Sequence, residues 1–177
     1  YYGGGDRMKL ENREGLETYI YHHTKVPAKN DSITYVMELQ NNEKDYVERS
    51  IQPLLESWVG LPLDMTSTYG IRIYTRGAIL KRHVDRHETH IVSAILNIAQ
   101  DVDKPWPLTI QDHTCREHKV YLEPGEIVFY ESSRLVHGRP YPLEGDRFAN
   151  VFIHAKPKYW DEFTNNLNKD QQAGLLD

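Results

Sequence analysis

His83 and Asp85 stand one residue apart in the string Lys81-Arg82-His83-Val84-Asp85. On an extended backbone, positions i and i+2 project to the same face, so an imidazole and a carboxylate can reach one ion from a single strand end. A third ligand must arrive from elsewhere. His137, which directly follows a strand pattern ending near Tyr130, is the best candidate. Two imidazoles and one carboxylate on one face of an octahedron leave three positions open. That donor set suits a ferrous ion that also takes a chelating small molecule and dioxygen. Taken alone, His-x-Asp is a weak signal in a chain with nine histidines, and a pair of polar residues flanking a turn explains it equally well.

The downstream residues shift that balance. Arg147 lies ten residues past His137, where the strand pattern 148–155 begins. A guanidinium projecting into a barrel from there grips a carboxylate through two parallel charge-assisted hydrogen bonds; the plainer reading is an exposed arginine at a strand edge. Tyr74 sits nine residues before His83. Its hydroxyl can donate a second bond to the same carboxylate, or it can be a core aromatic with a wet tip. His90 is a candidate substrate contact. Arg139, two residues past His137, either touches substrate or caps the barrel rim. His113, Cys115 and His118 lack a fourth ligand at a metal-site spacing, so their segment reads as a polar hairpin loop. His87 is expected to be exposed and His154 structural. Trp106, flanked by prolines, suits rim packing or a substrate lid.

These residues need elements to hold them. Val47, Ile51, Leu54, Leu55 and Trp58 recur at helical spacing behind the possible caps Asn41 and Asn42, which predicts helical support over about residues 30–60. Pro53 should kink that helix or start a new one. From residue 67 the period changes to two. Residues 67–75, 91–98, 108–110, 119–122, 126–130 and 148–155 read as short strands. Glu123-Pro124-Gly125-Glu126 is a turn in which proline presets one central position and glycine accepts positive φ at the next. Residues 1–30 are expected to be irregular around one short strand. Trp160, Phe163 and Leu167 suggest a closing helix. One or two helices followed by close-spaced strands predict an α+β, mainly β domain or a covered barrel, and not alternating βαβ units. The length of 177 residues suits a single domain, with its core at about 67–157.

With the elements in order, the chain resembles the prolyl 4-hydroxylase-like branch of the 2-oxoglutarate/Fe(II)-dependent dioxygenases. The resemblance rests on Tyr74-x-x-Gly77, His83-x-Asp85, the strand 91–98, Glu123-Pro124-Gly125-Glu126, Tyr130-Glu131-Ser132, His137-Gly138-Arg139 and Arg147. It implies a double-stranded β-helix (jelly-roll, cupin-like) core with flanking N-terminal helices. It implies Fe(II) held by His83, Asp85 and His137, and 2-oxoglutarate held through its far carboxylate by Arg147 and Tyr74. The implied reaction consumes O2, releases succinate and CO2 and hydroxylates a C–H bond, with ascorbate as a supporting reductant. The favoured target is a prolyl residue in a protein or peptide, in a proline-rich segment that aromatics can dock. Three departures bear on the substrate. Many collagen-type members use lysine where Arg147 stands. His90 occupies about the place where peptide-hydroxylating members often carry arginine. Leu80 stands where a tyrosine commonly precedes the first iron ligand.

Composition narrows the field further. The net charge of -5 and the absence of clustered Lys and Arg disfavour a nucleic-acid partner. The string Arg147-Phe148-Ala149-Asn150-Val151-Phe152 also lacks the second arginine of the nucleic-acid demethylase motif. No stretch is long and apolar enough to suggest a membrane segment. A single cysteine, Cys115, excludes Cys-based zinc and iron–sulfur sites. The start Tyr1-Tyr2-Gly3-Gly4-Gly5 has no Met and no signal core, which reads as a trimmed or mature fragment. The compartment stays open between secretory lumen and cytoplasm. The remaining alternatives are the same chemistry on a free amino acid, a jelly-roll binding module without catalysis, and a zinc hydrolase on the same three ligands.

Overall fold

A computed structural model describes residues 8–10 and 34–165. Its elements, in chain order, are β1 (Met8–Leu10), β2 (Thr34–Met37), α1 (Asn41–Val59), β3 (Leu63–Thr75), β4 (Leu80–His83), β5 (Val92–Val102), β6 (Leu108–Gln111), β7 (Glu117–Val120), β8 (Ile127–Tyr130), β9 (His137–Arg139) and β10 (Gly145–Pro157). The strands form two antiparallel sheets. The major one runs β1-β2-β3-β10-β5-β8 and the minor one β4-β9-β6-β7. This is the double-stranded β-helix expected from the sequence.

The two sheets close on a shared core. Ile95, Phe148 and Phe152 of the major sheet cluster with Leu108 and Ile110 of the minor sheet, joined by Tyr74, Trp106 and Tyr130. The other face of the major sheet is also covered. There Ala94, Val151 and Ile153 meet Val47 and Ile51 of α1, and Leu55 packs with Leu63, Val92 and Ala155. Central strands buried on both faces need apolar residues at consecutive positions. That is why residues 151–155 of β10 are buried without a break.

Among the described residues the helical support is one helix, which Pro53 does not divide. It opens on a capping box between Gln40 and Glu43, one residue before the expected caps, and closes on Gly60 in the left-handed conformation at φ 78. Pro53 lies inside it on the exposed side. There the carbonyl that loses its amide partner can be met by water. The stripe that meets the sheet is Val47, Ile51, Leu55 and Val59, at strict spacings of four, with Leu55 buried and the others half-buried. Leu54, expected in the stripe, is exposed. Fully buried Leu55 contributes roughly 2–3 kcal/mol of transfer free energy.

Two strands that carry the site, β4 and β9, are absent from the strand patterns read in the sequence, although His83 and Asp85 were placed at a strand end. Their pairing is what makes them strands. β5 runs on to Val102, past the end of the strand pattern read at 91–98. The turn at residues 123–126 forms as expected, with Gly125 at φ 93 and the Glu126 amide donating to the Glu123 carbonyl. Residues 160–165 are helical; Leu167, and most of residues 1–30, lie outside the described residues.

Candidate active site

The β4–β9 ladder sets His83 directly opposite His137, with ring centroids 4.4 Å apart. Each ring is turned by its own strand. Nδ1 of His83 lies 2.7 Å from the Lys81 carbonyl, and Nδ1 of His137 lies 2.8 Å from the Leu135 carbonyl. A carbonyl only accepts, so both Nδ1 atoms carry the proton and both Nε2 lone pairs are left bare. Asp85 follows β4 and is anchored by its amide, which donates to the Ser132 carbonyl at 2.8 Å. Its Oδ1 stands 3.5 Å from His83 Nε2 and 3.9 Å from His137 Nε2. One donor atom from each residue falls within 4.8 Å of the others, and among the described residues this is the sole cluster of its kind.

Gly138 makes the close approach possible. A Cβ there would stand 2.8 Å from the Leu80 carbonyl and 2.9 Å from that of Lys81, so any side chain would push β4 away. Charge reinforces the arrangement. Burial by itself would raise Asp85, but the imidazoles of His83, His137 and His154 outweigh it and hold the carboxyl below the usual range. Burial, then the neighbouring His83, push His137 down to about 4. At neutral pH Asp85 therefore presents a carboxylate and His137 a neutral ring, the states a divalent ion requires of these groups.

Behind His137 lies a second feature. His137 and Arg139 are two apart on β9 and share its inner face. Arg139 is 2% exposed. Its guanidinium is sandwiched between Trp106 and Phe148, 4.8 and 4.3 Å from their ring centroids. One amino group donates to the Trp106 carbonyl. The other, Nη2, is buried without a partner, and so is the hydroxyl of Tyr74, whose ring meets Trp106 edge-on at 5.2 Å. Burial lowers Arg139 to about 10, so it stays charged at neutral pH. A buried cation with a free donor beside a free hydroxyl is costly unless an anion completes it.

Arg147, the expected carboxylate anchor, is not part of this group. It is exposed on β10, paired across the ladders with Thr75 and Asp101, and the next residue, Phe148, takes the inward position. Strand alternation decides this: a residue beside an inward Phe148 faces out. The alternation rule that links His83 to Asp85 also links His137 to Arg139, and that was the signal available for Arg139. Tyr74 is fully buried, with its ring against Trp106.

His90 is 8% exposed. It stacks on His154 at 3.8 Å, and its Nδ1 meets the Thr89 hydroxyl at 2.7 Å. His154, together with Ser93 and Ser132, forms a buried polar group against Asp85 that sequence reasoning passed over. His113 and His118 stand apart, bound to Glu131 and Asp112 around the β6–β7 hairpin.

No family model matches the chain, and neither does any curated relative. Solved structures do. A 2OG-Fe(II) oxygenase family oxidoreductase from Burkholderia pseudomallei superposes with TM-score 0.60 at 7% identity, over 70% of this chain and 66% of its own length, just under two thirds. A prolyl-4-hydroxylase from Pseudomonas putida gives TM-score 0.56 at 18% identity, covering 75% of this chain and 77% of that one. HygX from Streptomyces hygroscopicus, solved with nickel and 2-oxoglutarate bound, gives TM-score 0.57 at 11% identity over 87% and 75%. The chain thus has the fold of the 2-oxoglutarate/Fe(II)-dependent oxygenases.

Proposed function

We propose that the chain is an Fe(II)- and 2-oxoglutarate-dependent dioxygenase that hydroxylates a C–H bond, its 177 residues making one such unit. Prolyl residues of a protein or peptide are the favoured target. The observation that carries the reading is the pair of unpartnered buried donors, Arg139 Nη2, two residues along β9 from His137, and the Tyr74 hydroxyl.

The residues fit the groups the fold implies. His83 Nε2, Asp85 Oδ1 and His137 Nε2 would hold the iron. Arg139 and Tyr74 would hold the far carboxylate of 2-oxoglutarate, a role in which Arg139 replaces Arg147. When bound, iron and keto acid together activate dioxygen, coupling decarboxylation to succinate with hydroxylation of substrate. The protein's own part is geometric and electrostatic. The carbonyls of Lys81 and Leu135 orient the two rings. Trp106 and Phe148 hold the guanidinium flat and keep water from it. A dicarboxylate anchor has no use in a zinc hydrolase, and an idle buried cation has none in a binding module.

The prolyl target is supported by the likeness to the Pseudomonas prolyl-4-hydroxylase, and the use of 2-oxoglutarate by that to HygX with its bound co-substrate. Ascorbate would serve as reductant. One observation favours a small-molecule substrate as the second reading. His90, standing where peptide-hydroxylating members often carry arginine, is buried against His154 and does not reach outward to a peptide. The test is anaerobic loading with Fe(II), then measurement of succinate with a panel of proline-rich peptides. Peptide hydroxylation shows as a gain of about 16 Da by mass spectrometry. Succinate without peptide modification supports the small-molecule reading, and no 2-oxoglutarate turnover under any condition sinks the proposal.

A further inference from the structure

Asp85 has two oxygens in different surroundings. Oδ1 faces the two histidine Nε2 atoms. Oδ2 is buried with no hydrogen-bond partner, and its polar neighbour is His154 Nδ1, 3.7 Å away. That nitrogen lies 2.6 Å from the Ser93 hydroxyl, which lies 2.5 Å from the Ser132 hydroxyl, which in turn donates to the His90 carbonyl at 2.8 Å. Ser93 and Ser132 are fully buried.

A proton count fixes every direction in this chain. The His90 carbonyl can only accept, so it takes the one proton of Ser132. The contact between the two hydroxyls then needs the proton of Ser93. Ser93 has none left for His154, so Nδ1 of His154 must be the donor and the imidazole must be the Nδ1–H tautomer. Tyr130, whose hydroxyl also reaches Ser93, cannot reverse this order, because it too can only donate to an oxygen whose proton is already committed. The N–H dipole of the His154 ring has its positive end close to Asp85 Oδ2.

We propose that His154, held as its Nδ1–H tautomer by the one-way chain through Ser93 and Ser132 to the His90 carbonyl, is a positioning residue that sets the rotation of the Asp85 carboxylate, keeping Oδ2 back while Oδ1 faces the ion. This rests on the metal-site reading above. A partner that orients a metal-binding carboxylate is worth roughly 10–100-fold in ion affinity.

Two measurements test it. In the 15N-labelled wild-type protein, long-range proton–nitrogen correlation should show His154 protonated on Nδ1 and bare on Nε2; the opposite pattern overturns the proposal without any variant. Calorimetric Co(II) binding should then separate two polar replacements. The amide of His154→Asn can stand where Nδ1–H stands, whereas that of His154→Gln falls near Nε2. Binding should weaken roughly 10-fold or more in His154→Gln and stay within about threefold of wild type in His154→Asn, with the Co(II) absorption spectrum altered in the Gln variant alone. Equal affinities and spectra for all three proteins overturn the positioning role and leave the metal site standing. A wild-type protein that binds no Co(II) overturns the metal site and this inference together.

Discussion

Arg139 carries its charge between two aromatic faces with Nη2 unsatisfied. Each charge-assisted hydrogen bond it would make to a carboxylate is worth about 1.5–3 kcal/mol. Arg139→Ala should therefore raise the KM for 2-oxoglutarate by roughly 100-fold or more, with Co(II) binding by calorimetry retained. Tyr74→Phe keeps the ring against Trp106 and removes only the hydroxyl, so a loss of about 10-fold is expected from the same assay. Arg147→Ala is the control. Its side chain is exposed, and its KM should stay within about twofold of wild type, as for a surface substitution. A large effect at Arg147 with none at Arg139 would reverse the assignment. Of the candidate metal set, His83 and Asp85 were legible in the sequence because His-x-Asp is local. Arg147 and Arg139 were not separable by spacing from His137 alone. Which one faces inward depends on the strand each occupies and on Phe148 holding the inward place beside Arg147.

At the scale of the element, β4 and β9 form the site by lying close together. Gly138 permits this, since its missing Cβ would strike the backbone carbonyls of Leu80 and Lys81. Backbone cannot rotate out of the way as a side chain can. Gly138→Ala should part the two strands and abolish Co(II) binding, read as loss of calorimetric heat in a protein that keeps its far-UV circular dichroism. Gly77 is the comparison: at φ 82 it meets nothing within 4 Å. Gly77→Ala should cost about 1 kcal/mol of stability from backbone strain and leave ion binding unchanged. The long strands β3, β5 and β10 show their pattern over many residues, and the four-residue strands β6, β7 and β8 were marked by apolar and β-branched residues in or next to them. β4 (Leu80-Lys81-Arg82-His83) and β9 (His137-Gly138-Arg139) are short and mostly polar, so neither carries such a mark. The helix was legible from Val47, Ile51 and Leu55. Leu54 misled because helical spacing alone does not say which edge of an apolar stripe meets the sheet.

Over the whole molecule, the buried histidines tie stability to pH. His137 and His154 are held near 4 and 3 when folded, against about 6.5 in an unfolded chain. Between those values the unfolded chain binds more protons, so stability rises with pH and is lost as pH falls. Asp85, held low by its histidines, acts in the same direction: its contribution is present above the ordinary carboxylate range and lost as pH falls below it. The Tm of the metal-free protein should be level between about pH 7 and 8 and fall below about pH 6.5. Each of the two buried rings contributes at most about 1.4 kcal/mol per pH unit. A Tm that stays flat from pH 7 to about pH 4.5 would mean that the rings protonate freely in the fold. The sequence by itself determined that a helix is followed by close-spaced strands, through the change of period, and brought forward His83, Asp85 and His137 as candidate ligands, through their chemistry and order. Tertiary structure alone decided that Arg139 is buried between Trp106 and Phe148, that Gly138 lets two strands meet, and that His154 lies against Asp85. Those facts depend on which strands become neighbours and which face of each turns inward. Such pairings join residues far apart in the chain, and no local pattern encodes them.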